Sequence, residues 1–267
     1  MKKMLQGPLL IQYILGRVAV FVLAPLYFAA IRLMGYRVRN LRKIRQECSR
    51  HFRNHDGPWI ICSNHLTMVD SPIIIYATVS LSRQLLHYRE IPWNLPERNN
   101  FQRNIILAIL CYLSKCIAIN RGGNREEMKK TLDTCNSLLE GKQHLMVFPE
   151  GGRSRTGRVN TESFSYGVGR FVKDFENCKI MCIYLRGDGQ HTYGFVPRFG
   201  ERFTVNIEVF QPQLTKENGL RAQRDYAEQI IKHMAHMEED YFTTSRQRYS
   251  GFERSTQRGE KPECAIH

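Results

Sequence analysis

The chain has 267 residues, with 39 Lys and Arg against 25 Asp and Glu and a formal charge of +14. That surplus draws it towards anionic surfaces, but its aromatic residues fall mostly inside apolar runs and not in exposed basic stripes, which argues against a specific nucleic-acid partner. No lysine of the Walker type follows a glycine-rich turn and Gly167-Val168-Gly169 lacks a third glycine in register, so nucleotide hydrolysis has no support.

The first predicted element is apolar, from Leu9 to Met34. Its longest uncharged stretch, Val18 to Ile31, has 14 residues, which as a helix reaches only about 21 Å against the roughly 30 Å of a bilayer core. A longer helix would carry Arg17 inwards at roughly 2.5 to 3.5 kcal/mol, and Pro25 invites a kink. The expectation is a broken helix or hairpin lying in one leaflet, with a single tilted span and then a buried helix as the alternatives. A secretory signal is not expected, because no small-residue cleavage site follows. Between Arg37 and Arg53 stand Arg37, Arg39, Arg42, Lys43, Arg45, Arg50 and Arg53 against Glu47 alone. Beside an apolar segment such a cluster reads as attraction to acidic headgroups, or as a dock for an acidic carrier protein.

Trp59-Ile60-Ile61-Cys62 reads as a buried strand ended by Ser63-Asn64, which leaves His65 at its exit. Asp70-Ser71 before Pro72 is a helix-start signal with the apolar run Ile73 to Val79 behind it. The loop between them can fold His65 back onto Asp70. Imidazole is the side chain whose ordinary pKa lets it take and return a proton near neutrality, and a carboxylate on its far nitrogen fixes the tautomer and stabilises the imidazolium. The plainer alternative is a helix-capping Asp70 beside an ordinary loop histidine.

Further strands are expected at Leu85 to Tyr88, Cys116 to Ile119, Leu145 to Phe148, Lys179 to Leu185 and Phe203 to Phe210. Asn124 to Glu140 reads as a helix with Asn124 as its cap, Glu126 and Glu127 in the first turn and Gly141 as its stop. A second long helix is expected from about Leu220 to Tyr241, with a loose basic tail from Ser245. The alternation argues for an α/β sandwich in one domain of about 200 residues. Two strand exits besides that of His65 carry polar groups, Asn120-Arg121-Gly122-Gly123 and Pro149-Glu150-Gly151-Gly152-Arg153-Ser154-Arg155. In a parallel sheet such exits line one crevice. Glycine amides there approach an anion closely, and arginine offers forked donors to phosphate.

Eight cysteines show no Cys-x-x-Cys spacing and read as reduced interior residues of a cytosol-facing protein. Cys62, though near His65, sits in a strand and reads as packing rather than as a nucleophile. His233, His236 and Glu239 on the last helix read as surface groups, so no metal site is expected.

Asn64-His65-x4-Asp70 and Phe148-Pro149-Glu150-Gly151-Gly152-Arg153-Ser154 together resemble the signature of the glycerophosphate and lysophospholipid acyltransferases of the bacterial PlsC type. The first block is complete. The third has Gly152 where that family usually has threonine, the second keeps Arg121 but has Ala118 for phenylalanine, and the fourth, Ile180 to Leu185, lacks the central proline. The resemblance covers about Trp59 to Leu185. It implies an acyltransferase domain, here 41–244, built on a mixed, largely parallel sheet flanked by helices, to which the composition adds a membrane-associated helical segment at 1–40 and a basic, flexible tail at 245–267.

It also implies transfer of a fatty acyl group from a thioester, acyl-CoA or acyl carrier protein, to a lipid hydroxyl, with 1-acylglycerol-3-phosphate the first acceptor to consider and no cofactor. His65 is then the base and Asp70 its positioning carboxylate. Arg121 and Arg153 bind the acceptor phosphate, and Asn64, Glu150, Gly151, Gly152 and Ser154 shape the pocket. Membrane lipids are the expected partners, at the cytoplasmic face, with the oligomeric state left open. The rivals are an acyltransferase for a non-glycerol hydroxylated lipid and a catalytically silent membrane-binding scaffold.

Overall fold

The computed structural model describes residues 5, 7–102, 104–120, 122–175, 178–191, 194–214 and 216–257. In chain order its helices and strands are α1 (Gly7–Leu33), β1 (Arg37–Val38), α2 (Leu41–Arg53), β2 (Trp59–Ser63), α3 (Asp70–Thr78), α4 (Leu81–Leu86), β3 (Trp93–Asn94), α5 (Ile105–Leu113), α6 (Arg125–Glu140), β4 (Leu145–Val147), α7 (Gly167–Asp174), β5 (Lys179–Gly187), β6 (Arg202–Phe210) and α8 (Gly219–Gln257). The strands form one sheet in the order β1-β6-β5-β2-β4-β3. Every neighbouring pair is parallel except β5 with β6. This is the mixed, largely parallel sheet flanked by helices expected from the sequence.

All five residues of β2 are buried because both faces of the sheet are covered. Trp59 and Ile61 face a core closed by Ile44, Cys48 and Phe52 of α2 and Ile73, Ile74 and Ala77 of α3. Ile60 and Cys62 face the opposite core, closed by Leu138 and Leu139 of α6, Phe171 of α7 and Ile230 and Met234 of α8. Period-two alternation with apolar residues on both sides is what a central parallel strand requires. Cys48, Cys62, Cys135 and Cys182 are buried and unbridged, and burial pushes the Cys62 thiol well above the usual range, consistent with packing.

Helices α7 and α8 approach closely at Gly169, where an added Cβ would lie 1.8 Å from the Gln223 carbonyl oxygen. That neighbour is backbone and cannot turn aside. Gly169→Ala is expected to force the two helices apart and destabilise the fold by about 1 to 3 kcal/mol or more, read as a lowered urea midpoint. An unchanged midpoint would show that the two helices are not in close contact at this position.

Four features differ from the sequence reading. Leu85 to Tyr88 is not a strand: α4 runs through Leu86, capped by the Ser80 hydroxyl, which accepts from the Arg83 N–H. Cys116 to Ile119 forms only isolated parallel bridges, Cys116 with Asn94 of the short edge strand β3 and Ile119 with Glu97 beyond it. Helix α8 continues to Gln257, past the expected end near Tyr241 and through the first part of the stretch read as a loose tail. Most telling, α1 is neither broken nor a hairpin but one helix of 27 residues that passes through Pro25, about 40 Å long. Its inner face, Val20, Ala24, Phe28 and Ile31, packs against the domain. A proline removes one backbone bond, and burial of this face on both sides of Pro25 keeps the chain helical through it. Val18, Val22, Leu26 and Leu33 remain exposed. By length and composition alone α1 suffices to cross a membrane.

Candidate active site

β2, β4 and β5 lie side by side and parallel, so their carboxyl ends open at one edge of the sheet. Asn64 and His65 follow β2, Phe148 to Glu150 follow β4, and Arg186 and Gly187 end β5. The first and third sequence blocks therefore meet at the crevice where open α/β sheets bind ligands.

The His65 Nδ1 lies 2.9 Å from the Asp70 Oδ2. Asp70 is the first residue of α3, where a carboxylate is favoured by the helix dipole. It does not cap its own helix through its side chain. Its Oδ2 also accepts from the Leu66 N–H at 2.6 Å and the Thr67 N–H at 2.8 Å, and its Oδ1 from the Thr67 hydroxyl. The Asp70 side chain is 2% exposed and that of His65 is 17% exposed. With Nδ1–H committed to Asp70, the Nε2 carries the lone pair. Among the described residues nothing bonds to that Nε2. The ring is stacked on Phe148, with centroids 4.1 Å apart and planes at 21°.

The backbone of His65 is held from both sides by the third block. Its N–H donates to the Glu150 Oε1 at 2.9 Å, and its carbonyl accepts from the Ser154 N–H at 2.8 Å. Glu150, expected in the pocket wall, is thus a strut beneath His65, and its Oε2 accepts weakly from the Asn160 N–H at 3.3 Å. Burial lifts the Glu150 carboxyl to about 7, against the lowering pull of the bonds from His65 and Asn160. A carboxyl raised above its unfolded value stabilises the fold below the unfolded pKa, and that contribution is lost as pH rises towards 7. Glu150→Gln keeps the bond from His65 without the buried charge. Its NH2 cannot accept from the Asn160 N–H, a loss of about 1 kcal/mol at every pH, so the variant is expected to lie about 1 kcal/mol below wild type under pH 4.5 and to exceed it by about 2 kcal/mol at pH 8. Urea unfolding across that pH range reads the difference, and parallel curves for the two proteins would refute it.

Asn64, also expected to touch substrate, is buried, with its carboxamide clamped on β5: Nδ2 donates to the Leu185 carbonyl at 2.9 Å and Oδ1 accepts from the Leu185 N–H at 2.8 Å. Its place is beneath the site and not in the opening. Gly151 adopts the left-handed conformation (φ 70°) that a side chain disfavours, and its N–H closes a turn on the Phe148 carbonyl at 2.9 Å. Gly152, the departure from the usual threonine, has open space where a Cβ would stand. The Ser154 hydroxyl donates to the Arg158 carbonyl, so this serine braces its loop. Arg153 donates to the Gly194 carbonyl at 3.0 Å and lies over the Phe195 ring at 5.4 Å. Arg121 lies outside the described residues.

Phe148, Thr67 and the strap Gly194 to Val196 were not singled out in the sequence. The strap pairs with the histidine loop through Gly194 N–H to Leu66 carbonyl and Met68 N–H to Phe195 carbonyl, both 3.0 Å. The aromatic residue preceding Pro149-Glu150 was visible as part of the block, but nothing in sequence spacing says that it stacks on an imidazole 83 positions earlier in the chain. On the last helix, His233 pairs with Glu208 of β6 at 3.1 Å and His236 with Asp240 at 3.6 Å.

Among solved structures the chain is similar to the 1-acyl-sn-glycerophosphate (LPA) acyltransferase, PlsC, from Thermotoga maritima, with 18% identity over 85% of this chain and 97% of that one and a TM-score of 0.43. Comparison with curated proteins gives no match. A family model described as Acyltransferase matches residues 35–186, more than half of the chain and inclusive of both blocks that meet at His65. The chain belongs to the Acyltransferase family.

Proposed function

We propose that this protein is a membrane-associated O-acyltransferase that moves a fatty acyl group from acyl-CoA or acyl carrier protein to the hydroxyl of a lysophospholipid, with 1-acylglycerol-3-phosphate as the favoured acceptor. The observation that carries the reading is the His65–Asp70 pair, 2.9 Å apart at the carboxyl ends of parallel strands, with an unclaimed Nε2 on a partly exposed ring. Nε2 takes the acceptor's hydroxyl proton as the oxygen attacks the thioester carbonyl carbon. The C–O bond forms, the C–S bond breaks, and the same proton passes from Nε2 to the departing sulfur. Asp70 stabilises the imidazolium in between, as the carboxylate of a hydrolase triad does. The chain itself forms no covalent intermediate in this scheme.

The acceptor's phosphate is assigned to Arg153 on the rim and to Arg121 from its sequence position. A cavity of about 400 Å³, lined by Leu9, Phe101, Ala108, Tyr112 and Ile117 together with the polar Gln12, Gln102 and Thr134, offers room for part of a fatty chain. The exposed apolar face of α1 supports association with a membrane, and the reduced cysteines fit a cytoplasmic face.

The test is purified protein supplied with an acyl-CoA or acyl carrier protein and, in parallel, lysophosphatidic acid, other lysophospholipids and hydroxylated lipids. Thiol release and product mass are followed together, beside lipid profiles of cells lacking the protein. Turnover with lysophosphatidic acid and accumulation of that lipid in the deficient cells is the expected result. Turnover confined to a lipid without glycerol moves the acceptor, and none with any acceptor leaves a membrane-binding scaffold.

A further inference from the structure

Away from His65, at the far end of α3, a cavity of about 540 Å³ opens between α2 and α4. Its walls are Arg42, Arg45, Gln46, Ser49 and Arg53 of α2, which recur on one face of that helix, with Ser80 and Arg83 opposite. Four arginines and no carboxylate line it. Arg83 is already neutralised by Glu90. Arg45 donates to the Tyr76 carbonyl at 2.7 Å and rests on the Phe28 and Tyr76 rings, which fixes its guanidinium in the wall. Among the described residues Arg42 and Arg53 form no ion pair, and both are exposed. Such a constellation, forked donors around a concave space without a counter-charge, recognises phosphate.

The surroundings say which phosphate. Both walls rest on α1, α2 through Arg45 against Phe28 and α4 through Leu81 and Leu85 against Val20 and Ala24. Arg32 in the last turn of α1 lies close enough to act on the charge of Arg45, and it adjoins the exposed Leu33. The basic field therefore runs from the cavity to an apolar helix face, as at the rim of a surface-lying helix on a charged membrane.

We propose that the cavity between α2 and α4 holds the phosphate of an anionic membrane lipid, gripped by Arg42, Arg45 and Arg53, while the outer face of α1 lies in the leaflet beside it. This site is separate from the catalytic crevice and does not depend on which acceptor the enzyme acylates. It sets the orientation of the domain on the membrane.

The test is flotation of the full chain with vesicles of phosphatidylcholine alone or mixed with phosphatidylglycerol, for wild type, the Arg42→Gln/Arg53→Gln pair and a charge-matched control pair, Lys129→Gln/Lys130→Gln on the exposed face of α6. Each basic residue near an anionic surface is worth a factor of about five, so the arginine pair is expected to lose about twenty- to thirtyfold on the mixed vesicles. The control pair should lose less than about threefold. Binding to phosphatidylcholine alone, the unfolding midpoint and the KM for acyl thioester in detergent should be unchanged. Inorganic phosphate at matched ionic strength should not release the wild type. The proposal is overturned if the arginine pair binds mixed vesicles like wild type, if the control loses as much, or if phosphate alone releases the protein. It is equally overturned if vesicle binding holds while the KM for acyl-CoA or acyl carrier protein rises tenfold, which would give the cavity to the donor.

Discussion

Replacing His65 by alanine is expected to lower kcat for acyl transfer by about 10² to 10⁴, the range over which a positioned base contributes, with little change in KM for the thioester. A base that acts on the proton in flight stabilises the transition state and not the bound substrates. The fold should survive, because the bonds that hold position 65 use its backbone, N–H to Glu150 and carbonyl from Ser154, and alanine keeps both. Rate measurements at saturating thioester, with the urea midpoint as a control for folding, check this. Turnover equal to wild type in a folded variant would remove His65 from the mechanism.

Asp70 is expected to matter twice over, and two substitutions separate the effects. In Asp70→Ala the N–H groups of Leu66 and Thr67 lose their acceptor in a site where the Asp70 side chain is almost wholly enclosed. Two buried donors left unmet cost about 1 to 3 kcal/mol each, so a loss of about 2 to 6 kcal/mol is expected, together with loss of activity as His65 loses its tautomer. In Asp70→Asn the carboxamide oxygen can take the place of Oδ2, which keeps the two backbone bonds and the one from Nδ1, while the Thr67 hydroxyl turns to accept from the new NH2. Stability should then fall by only about 1 to 2 kcal/mol, because neutral bonds replace charge-assisted ones. Activity should still fall at least a hundredfold, since no anion remains to stabilise the imidazolium. Equal urea midpoints for wild type and Asp70→Ala would show that the carboxylate does not organise the loop, and near-normal kcat in Asp70→Asn would show that its charge is not used.

What could be read in advance follows the length of each signal. β2, β4, β5 and β6 are buried on at least one face over several residues, and their apolar runs stand out. Helix α6 announced itself through Asn124, whose side chain does accept from the Glu127 N–H. The two-residue strands β1 and β3 carry no pattern long enough to recognise. Leu85 and Leu86 read as a strand because a one-and-a-half-turn helix shows no full period, and its cap at Ser80 was the only cue. The Pro25 reading failed for another reason: a local rule about proline was overruled by packing at Ala24 and Phe28 that lies elsewhere in the chain.

At the site, the pairing of His65 with Asp70 was legible because it is local, five positions apart with a helix start between. The roles of Asn64 and Glu150 were not, because each is defined by a backbone partner more than 80 positions away. Motif membership identified both residues as belonging to the site and left open whether they face the substrate or hold the residue that does. Polar atoms already bonded to main chain are the physical sign of the second kind, and only coordinates display it.

The double tether of position 65 to Glu150 and Ser154 means that the two signature blocks form a single mechanical unit. An exchange of segments with a related enzyme should therefore carry both blocks or neither, since a mismatched half would tilt the imidazole by moving the main chain under it. Selection for a new acceptor has more freedom at Gly152, where no neighbour stands within 4 Å of an added Cβ, than at any residue stitched beneath the ring.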